Sequence, residues 1–167
     1  LMGISTSWWK RNHNTHHIVC NSVEHDPDIQ HMPFLAVTPA IFRAPRFWST
    51  YYRTWVSMDG AARWLVSRQH LLFYVVMGVA RFNLYVQSWV HLLTCTERLY
   101  YRRVEIVALL AYAGWVVAVA ASMPSRGETA GWLLVSHTVA GLLHVQITIS
   151  HFAMHTYSGR AYNDETD

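Results

Sequence analysis

A chain of 167 residues is long enough for one domain, but 52% of it is hydrophobic, with eight Trp and nine Tyr, which is too apolar for an ordinary soluble domain and points to a membrane protein. The net charge of +3 comes from twelve Arg and one Lys scattered along the sequence, not gathered with polar readers into a groove, which argues against nucleic-acid binding. Cys20 and Cys95 are far apart and show no C-x-x-C spacing, so neither a disulfide framework nor a zinc ribbon is indicated, and Cys20 is expected to be a small buried residue.

The chain opens on Leu1-Met2-Gly3-Ile4-Ser5 without a basic region followed by an apolar one, so no secretory signal is read there. A helix is expected from about Trp8 to Ser22. In it His13, His16 and His17 stand at i, i+3 and i+4 and project from one face. Three imidazoles with no cysteine partner set suit Zn, Cu, Fe or Ni and lean away from a structural zinc site. Asp26 precedes Pro27, a pairing that suits the start of a short helix through Asp28-Ile29-Gln30-His31-Met32. Asp26 or Asp28 could instead accept the second N–H of a ligating histidine and fix its tautomer.

Residues 35–103 form an interfacial segment in this reading. Between Pro33 and Arg68 aromatics alternate with arginines (Phe42-Arg43, Arg46-Phe47-Trp48, Tyr51-Tyr52-Arg53, Trp55, Arg63-Trp64), a composition at home at the lipid headgroup level. Residues 71–93 are apolar but interrupted by Arg81, Asn83, Gln87 and His91, and are expected to be an interfacial or re-entrant helix. Ile106 to Met123 carry no charge and match the length of a bilayer crossing, with Arg98, Arg102 and Arg103 marking the cytosolic end. A tight turn is expected over Pro124–Thr129, and a return span follows over 130–154. On it His137, His144 and His151 recur every seven residues, with Thr148 and His155 on the same stripe, facing the bundle interior. The fold class is therefore an all-α membrane protein. Two antiparallel transmembrane helices, at 104–123 and 130–154, follow cytosolic or interfacial helices carrying the histidine motif, and 155–167 form a cytosolic tail. Both ends read as cuts through a longer protein.

Trp8-Trp9-Lys10, H-N-T-H-H, Asn21-Ser22-Val23-Glu24-His25 and the D-P-D-I-Q-H run to Phe34 resemble the second histidine box of the membrane-bound fatty acid desaturases. With Ala80-Arg81-Phe82-Asn83-Leu84-Tyr85, Gln87-Ser88, Gln146 and Ser150-His151-Phe152-Ala153-Met154, the chain resembles their front-end branch, which carries an N-terminal cytochrome b5 domain. Within that branch it is most similar to the fungal-type Δ8 sphingolipid desaturases.

The resemblance covers residues 1–167 as a partial desaturase domain. It implies two non-haem Fe ions, with His13, His16 and His17 as second-box ligands, His151 as the ligand of the span before the last box, and His155 as a further addition. It further implies a ceramide or sphingolipid substrate, O2, electrons from NADH through a reductase and the haem of cytochrome b5, and a multi-pass place in the endoplasmic reticulum membrane with the histidine box facing the cytosol. The first H-x-x-x-H box, the Q-x-x-H-H third box and the cytochrome b5 domain are not in this sequence. A two-iron site would thus be about half supplied, and the fragment alone is expected to be inactive. Three other readings compete. A front-end desaturase acting on phospholipid-bound acyl chains shares the same chemistry. An intramembrane zinc hydrolase would need a carboxylate base where Asn14 and Thr15 stand. An inactive membrane protein would use its histidines only for packing.

Overall fold

A computed structural model describes residues 3–31, 33–153 and 155–156. The chain is mostly helical and divides into two compact units, one of residues 1–11 and 74–146, the other of residues 12–73 and 147–167.

The first unit contains the opening turns of α1 (Thr6–Ile18), most of α3 (Gln69–Thr94), α4 (Arg102–Ala121) and most of α5 (Arg126–Phe152). Ser5 caps α1, its Oγ accepting from the Trp8 N–H at 3.1 Å. Glu105, in the first turn of α4, adds a carboxylate at that positive helix end, accepting from Ser7 N–H at 3.2 Å and from the Ser5 hydroxyl at 2.5 Å. Ser125 caps the start of α5, its Oγ accepting from the Glu128 N–H at 3.2 Å while its hydroxyl lies 3.3 Å from Glu128 Oε1. The helix therefore begins at Arg126, inside the stretch expected to be a turn.

α3, α4 and α5 are each long and apolar enough to cross a membrane, one more helix than the two expected. Only 11%, 6% and 6% of their apolar windows is buried, so their outer faces are continuous apolar surface of a kind suited to lipid. α3 is unbroken through Arg81 because the polar group finds partners within the unit: Arg81 Nε donates to the Tyr85 hydroxyl at 2.6 Å, which lies 2.9 Å from that of Tyr112. Close approach of α3 and α5 is set at Gly141, where a Cβ would stand 2.8 Å from Gly78 Cα and 2.9 Å from the Met77 carbonyl oxygen. One turn away, the His137 ring stacks on Phe82 with centroids 4.4 Å apart.

In the second unit the chain leaves α1 at Ile18, earlier than the expected Ser22, because Asn21 takes the left-handed conformation (φ 64°) that no helix continues through. A single 3-10 turn, Pro27–Ile29, stands where a longer helix was expected. A second follows at Pro39–Arg43. The all-helical expectation is corrected at β1 (Arg46–Ser49) and β2 (Thr54–Ser57), an antiparallel hairpin pairing Phe47 with Val56 and Trp48 with Trp55. Aromatic and β-branched residues favour this pleated pairing, and the turn closes with Arg53 at φ 51°. Phe47 and Val56 pack, with Phe42 and Val66, on a core of Val23, Ala36, Ile41 and Met58. The short helix α2 (Gly60–Val66), capped by Asp59, then leads to α3.

Candidate metal centre

α1 brings the three histidines together as their spacing predicts. The ring centroids of His13 and His17 are 4.4 Å apart, those of His16 and His17 5.3 Å, and those of His13 and His16 6.2 Å. The Nε2 atoms of His13 and His17 lie 3.1 Å from each other. Two nitrogens bound at right angles to one metal, each at about 2.1 Å, stand about 3 Å apart, so this pair has the separation of neighbouring ligands.

His16 is fully buried, and its Nδ1 faces both oxygens of Asp26 at 2.9 and 3.0 Å. That places the proton on Nδ1, donating to the carboxylate, and makes Nε2 the acceptor nitrogen, the tautomer in which a histidine binds a metal. Asp26 is itself completely buried. It also accepts from the Asn21 N–H at 2.7 Å and, as cap of the 3-10 turn, from the Asp28 N–H at 2.8 Å. The two roles open to Asp26 in the sequence, cap and histidine partner, are thus both filled by one carboxylate. Asp28 stands further from His16, 3.7 Å from Nδ1, and its Oδ1 accepts from the Asn12 amide at 2.5 Å.

Cys20 is exposed rather than buried, with Sγ 3.8 Å from His16 Nε2. His16, Cys20 and Asp26 offer ligand atoms within 4.8 Å of one another, although the Asp26 oxygens are already committed to three N–H donors. Desolvation of the thiol beside His16, reinforced by the carboxylates of Asp26 and Asp28, pushes Cys20 above its ordinary value.

The remaining expected ligands are placed differently. His151 falls in the last turn of α5, and its side chain lies outside the described residues. His155 stands beyond the end of α5 and is exposed, so it does not extend the helical stripe, and it joins no metal-binding group among the described residues. Met154 and residues 157–167, including the expected tail, lie outside the described residues. Sequence reasoning missed Asn12 and Asn21, which brace the two aspartates; the one available signal was an Asn next to Ser, in a turn-forming stretch before Asp-Pro.

The helices, the histidine cluster and its carboxylate partner coincide with a match to the Fatty acid desaturase family over residues 1–166, and the chain belongs to that family. Among curated relatives, it is 40% identical over 160 residues to the acyl-lipid (9-3)-desaturase of Borago officinalis, covering 96% of this chain and 35% of the relative. It is 39% identical over 164 residues to the delta(8)-fatty-acid desaturase of Helianthus annuus, covering 98% of this chain and 35% of the relative. It is 40% identical over 161 residues to the delta 8-(E)-sphingolipid desaturase of Kluyveromyces lactis, covering 92% of this chain and 28% of the relative. The chain thus spans about a third of the length of these relatives. No solved structure matches it.

Proposed function

We propose that this chain is part of an O2-dependent, non-haem di-iron lipid desaturase that introduces a Δ8 double bond into the long-chain base of a ceramide. The observation that carries the reading is the paired Nε2 atoms of His13 and His17 beside a buried His16 whose Nδ1 is held by Asp26, in a member of the Fatty acid desaturase family. The yeast relative named for Δ8-(E)-sphingolipid desaturation supports the substrate.

The donor set fits iron, since imidazole is a suitable ligand for it and the carboxylate behind His16 raises the basicity of Nε2. His13, His16 and His17 would hold metal from α1, with His151 from the last turn of α5 and His155 from just beyond it contributing. When bound, the two irons would supply the O2-dependent oxidising power that removes two hydrogens from adjacent carbons, with two electrons from NADH completing the reduction of O2 to two waters. Those electrons would come through a reductase and the haem of cytochrome b5. The work of this chain's own residues is positional. Asp26 retains the proton arrangement of His16, and the apolar helices offer a lipid-facing surface of the kind a membrane protein presents.

Residence in the endoplasmic reticulum membrane with the histidines on the cytosolic side completes the reading. If α1 and the end of α5 serve one metal centre, an even number of crossings separates them. Two of the three membrane-length helices then cross, and α4 and α5, free of internal charge after Glu105 and Glu128, are the pair we assign.

A second reading, a desaturase of phospholipid-bound acyl chains, is favoured by the equal identity to the borage acyl-lipid desaturase. Expression of the full-length parent in a host that makes no Δ8-unsaturated sphingolipid separates the two. A new unsaturated long-chain base supports the first reading, new acyl products with an unchanged base support the second, and an intact protein with no iron and no product supports an inactive homologue. In the same host His16→Ala abolishes the product; retained product refutes its role.

A further inference from the structure

The two faces of the hairpin differ in what they touch. Phe47 and Val56 lie against the core, and Ser49, fully buried on the same side, donates to Gln30 Oε1 at 2.6 Å. Because side chains alternate along a strand, Arg46, Trp48, Trp55 and Ser57 share the opposite face. There Trp48 and Trp55 sit directly across from one another, 41% and 51% exposed, with ring centroids 5.5 Å apart. The Arg46 guanidinium lies 4.4 Å from the Trp55 ring centre. An outward sheet face meant for water carries polar side chains; this one carries two indoles and a guanidinium.

The same chemistry continues along the chain. Tyr52 is exposed beside Arg53 in the hairpin turn, and the Arg68 guanidinium lies 4.2 Å from the ring centre of exposed Trp64. Arg46, Arg53, Arg63 and Arg68 are all exposed. The single carboxylate among residues 44–68, Asp59, accepts from the Ala62 N–H at 2.8 Å to cap α2. The segment is therefore strongly cationic as well as aromatic.

We propose that the outer face of the hairpin docks on the headgroup layer of a bilayer containing anionic phospholipid. Indoles settle at the headgroup level, where a flat apolar body and a polar N–H are both satisfied. Guanidinium groups rest their stems on apolar surface and donate paired hydrogen bonds to phosphate, and the excess of arginine over carboxylate selects an anionic surface. The proposal rests on the membrane-protein reading above and deepens it by naming the lipid class that this unit meets.

The test uses the full chain in vesicles of phosphatidylcholine brominated near the top of its acyl chains, with and without phosphatidylserine. The fluorescence lost in W48F/W55F isolates the share of these two residues. That share is expected to be quenched at least about twofold more by bromolipid than by aqueous iodide, with phosphatidylserine increasing the difference and R46Q/R53Q removing the increase. Quenching by iodide alone places the face in water and overturns the proposal; shielding from both quenchers assigns the face to a protein partner and also overturns it. Should W48F/W55F fail to fold, the phosphatidylserine-dependent quenching of total indole fluorescence in R46Q/R53Q decides the same question. Flotation with the vesicles is scored separately, so a chain that does not float fails the membrane reading, whereas one that floats with water-accessible Trp48 and Trp55 fails this proposal alone.

Discussion

Asp26 carries more of the candidate centre than any histidine does. Its two oxygens serve the His16 ring and the backbone of Asn21 and Asp28, all in a completely buried position. Asp26→Asn keeps the volume but replaces an acceptor with an N–H facing Nδ1. Iron affinity of the full-length protein should fall about 10–100-fold, read by metal content after dialysis against a chelator. Asp26→Ala should also destabilise the fold by about 1–3 kcal/mol, because it leaves buried donors without an acceptor. His31 gives the pH dependence. Burial holds its imidazole below the ordinary value of 6.5, outweighing the pull of Asp28 and Asp26 in the other direction. The folded state then keeps His31 neutral while the unfolded chain takes up a proton, so its contribution is fully present above about pH 6.5 and is lost as pH falls below that. Thermal melts between pH 7.5 and 5 should show that loss, and His31→Gln should flatten it. At this scale the three histidines were legible because i, i+3, i+4 spacing is a property of the sequence itself. The left-handed Asn21 and the exposure of Cys20 were not, since both depend on how the chain returns from the Asp-Pro turn.

Between elements, the contact of α3 with α5 makes an asymmetric prediction. A methyl group at Gly141 meets Gly78 Cα and the Met77 carbonyl at less than 3 Å, whereas one at Gly78 meets nothing within 4 Å. Gly141→Ala should cost about 1–3 kcal/mol in detergent-solubilised protein, and Gly78→Ala should be tolerated. Equal costs at the two positions would mean that the helices do not approach in this way. The sequence also contains Ser125-x-x-Glu128, a helix-start signal that the expectation of a turn over Pro124–Thr129 passed over. The hairpin was harder to find, because its period of two is masked: the outer face carries tryptophans where alternation leads one to look for polar residues. Arg81 hid α3 in a similar way, since the Tyr85 and Tyr112 hydroxyls that receive it are 4 and 31 residues distant in sequence.

For the whole molecule the number of crossings can be mapped. With α4 and α5 as the crossings, the linker of Cys95–Tyr101 stays in the cytosol with Arg98. An N-glycosylation acceptor inserted there in the full-length protein should remain unmodified, while one at Ser122–Ser125 should be modified. The reverse pattern would make α3 and α4 the crossings and overturn the α4–α5 assignment. Hydropathy located all three apolar segments, but it cannot distinguish a helix that crosses from one that lies along the surface, because both need an apolar face.

The carboxylate shared by His16, Asn21 and the Pro27–Ile29 turn also bears on how such a centre can be transplanted. The five-residue histidine word grafted alone onto a host helix would yield three imidazoles free to choose either tautomer. A cassette running from Asn12 through His31 brings its own orienting acid together with the asparagine and the turn that hold it, and a designer should move these twenty residues as one part.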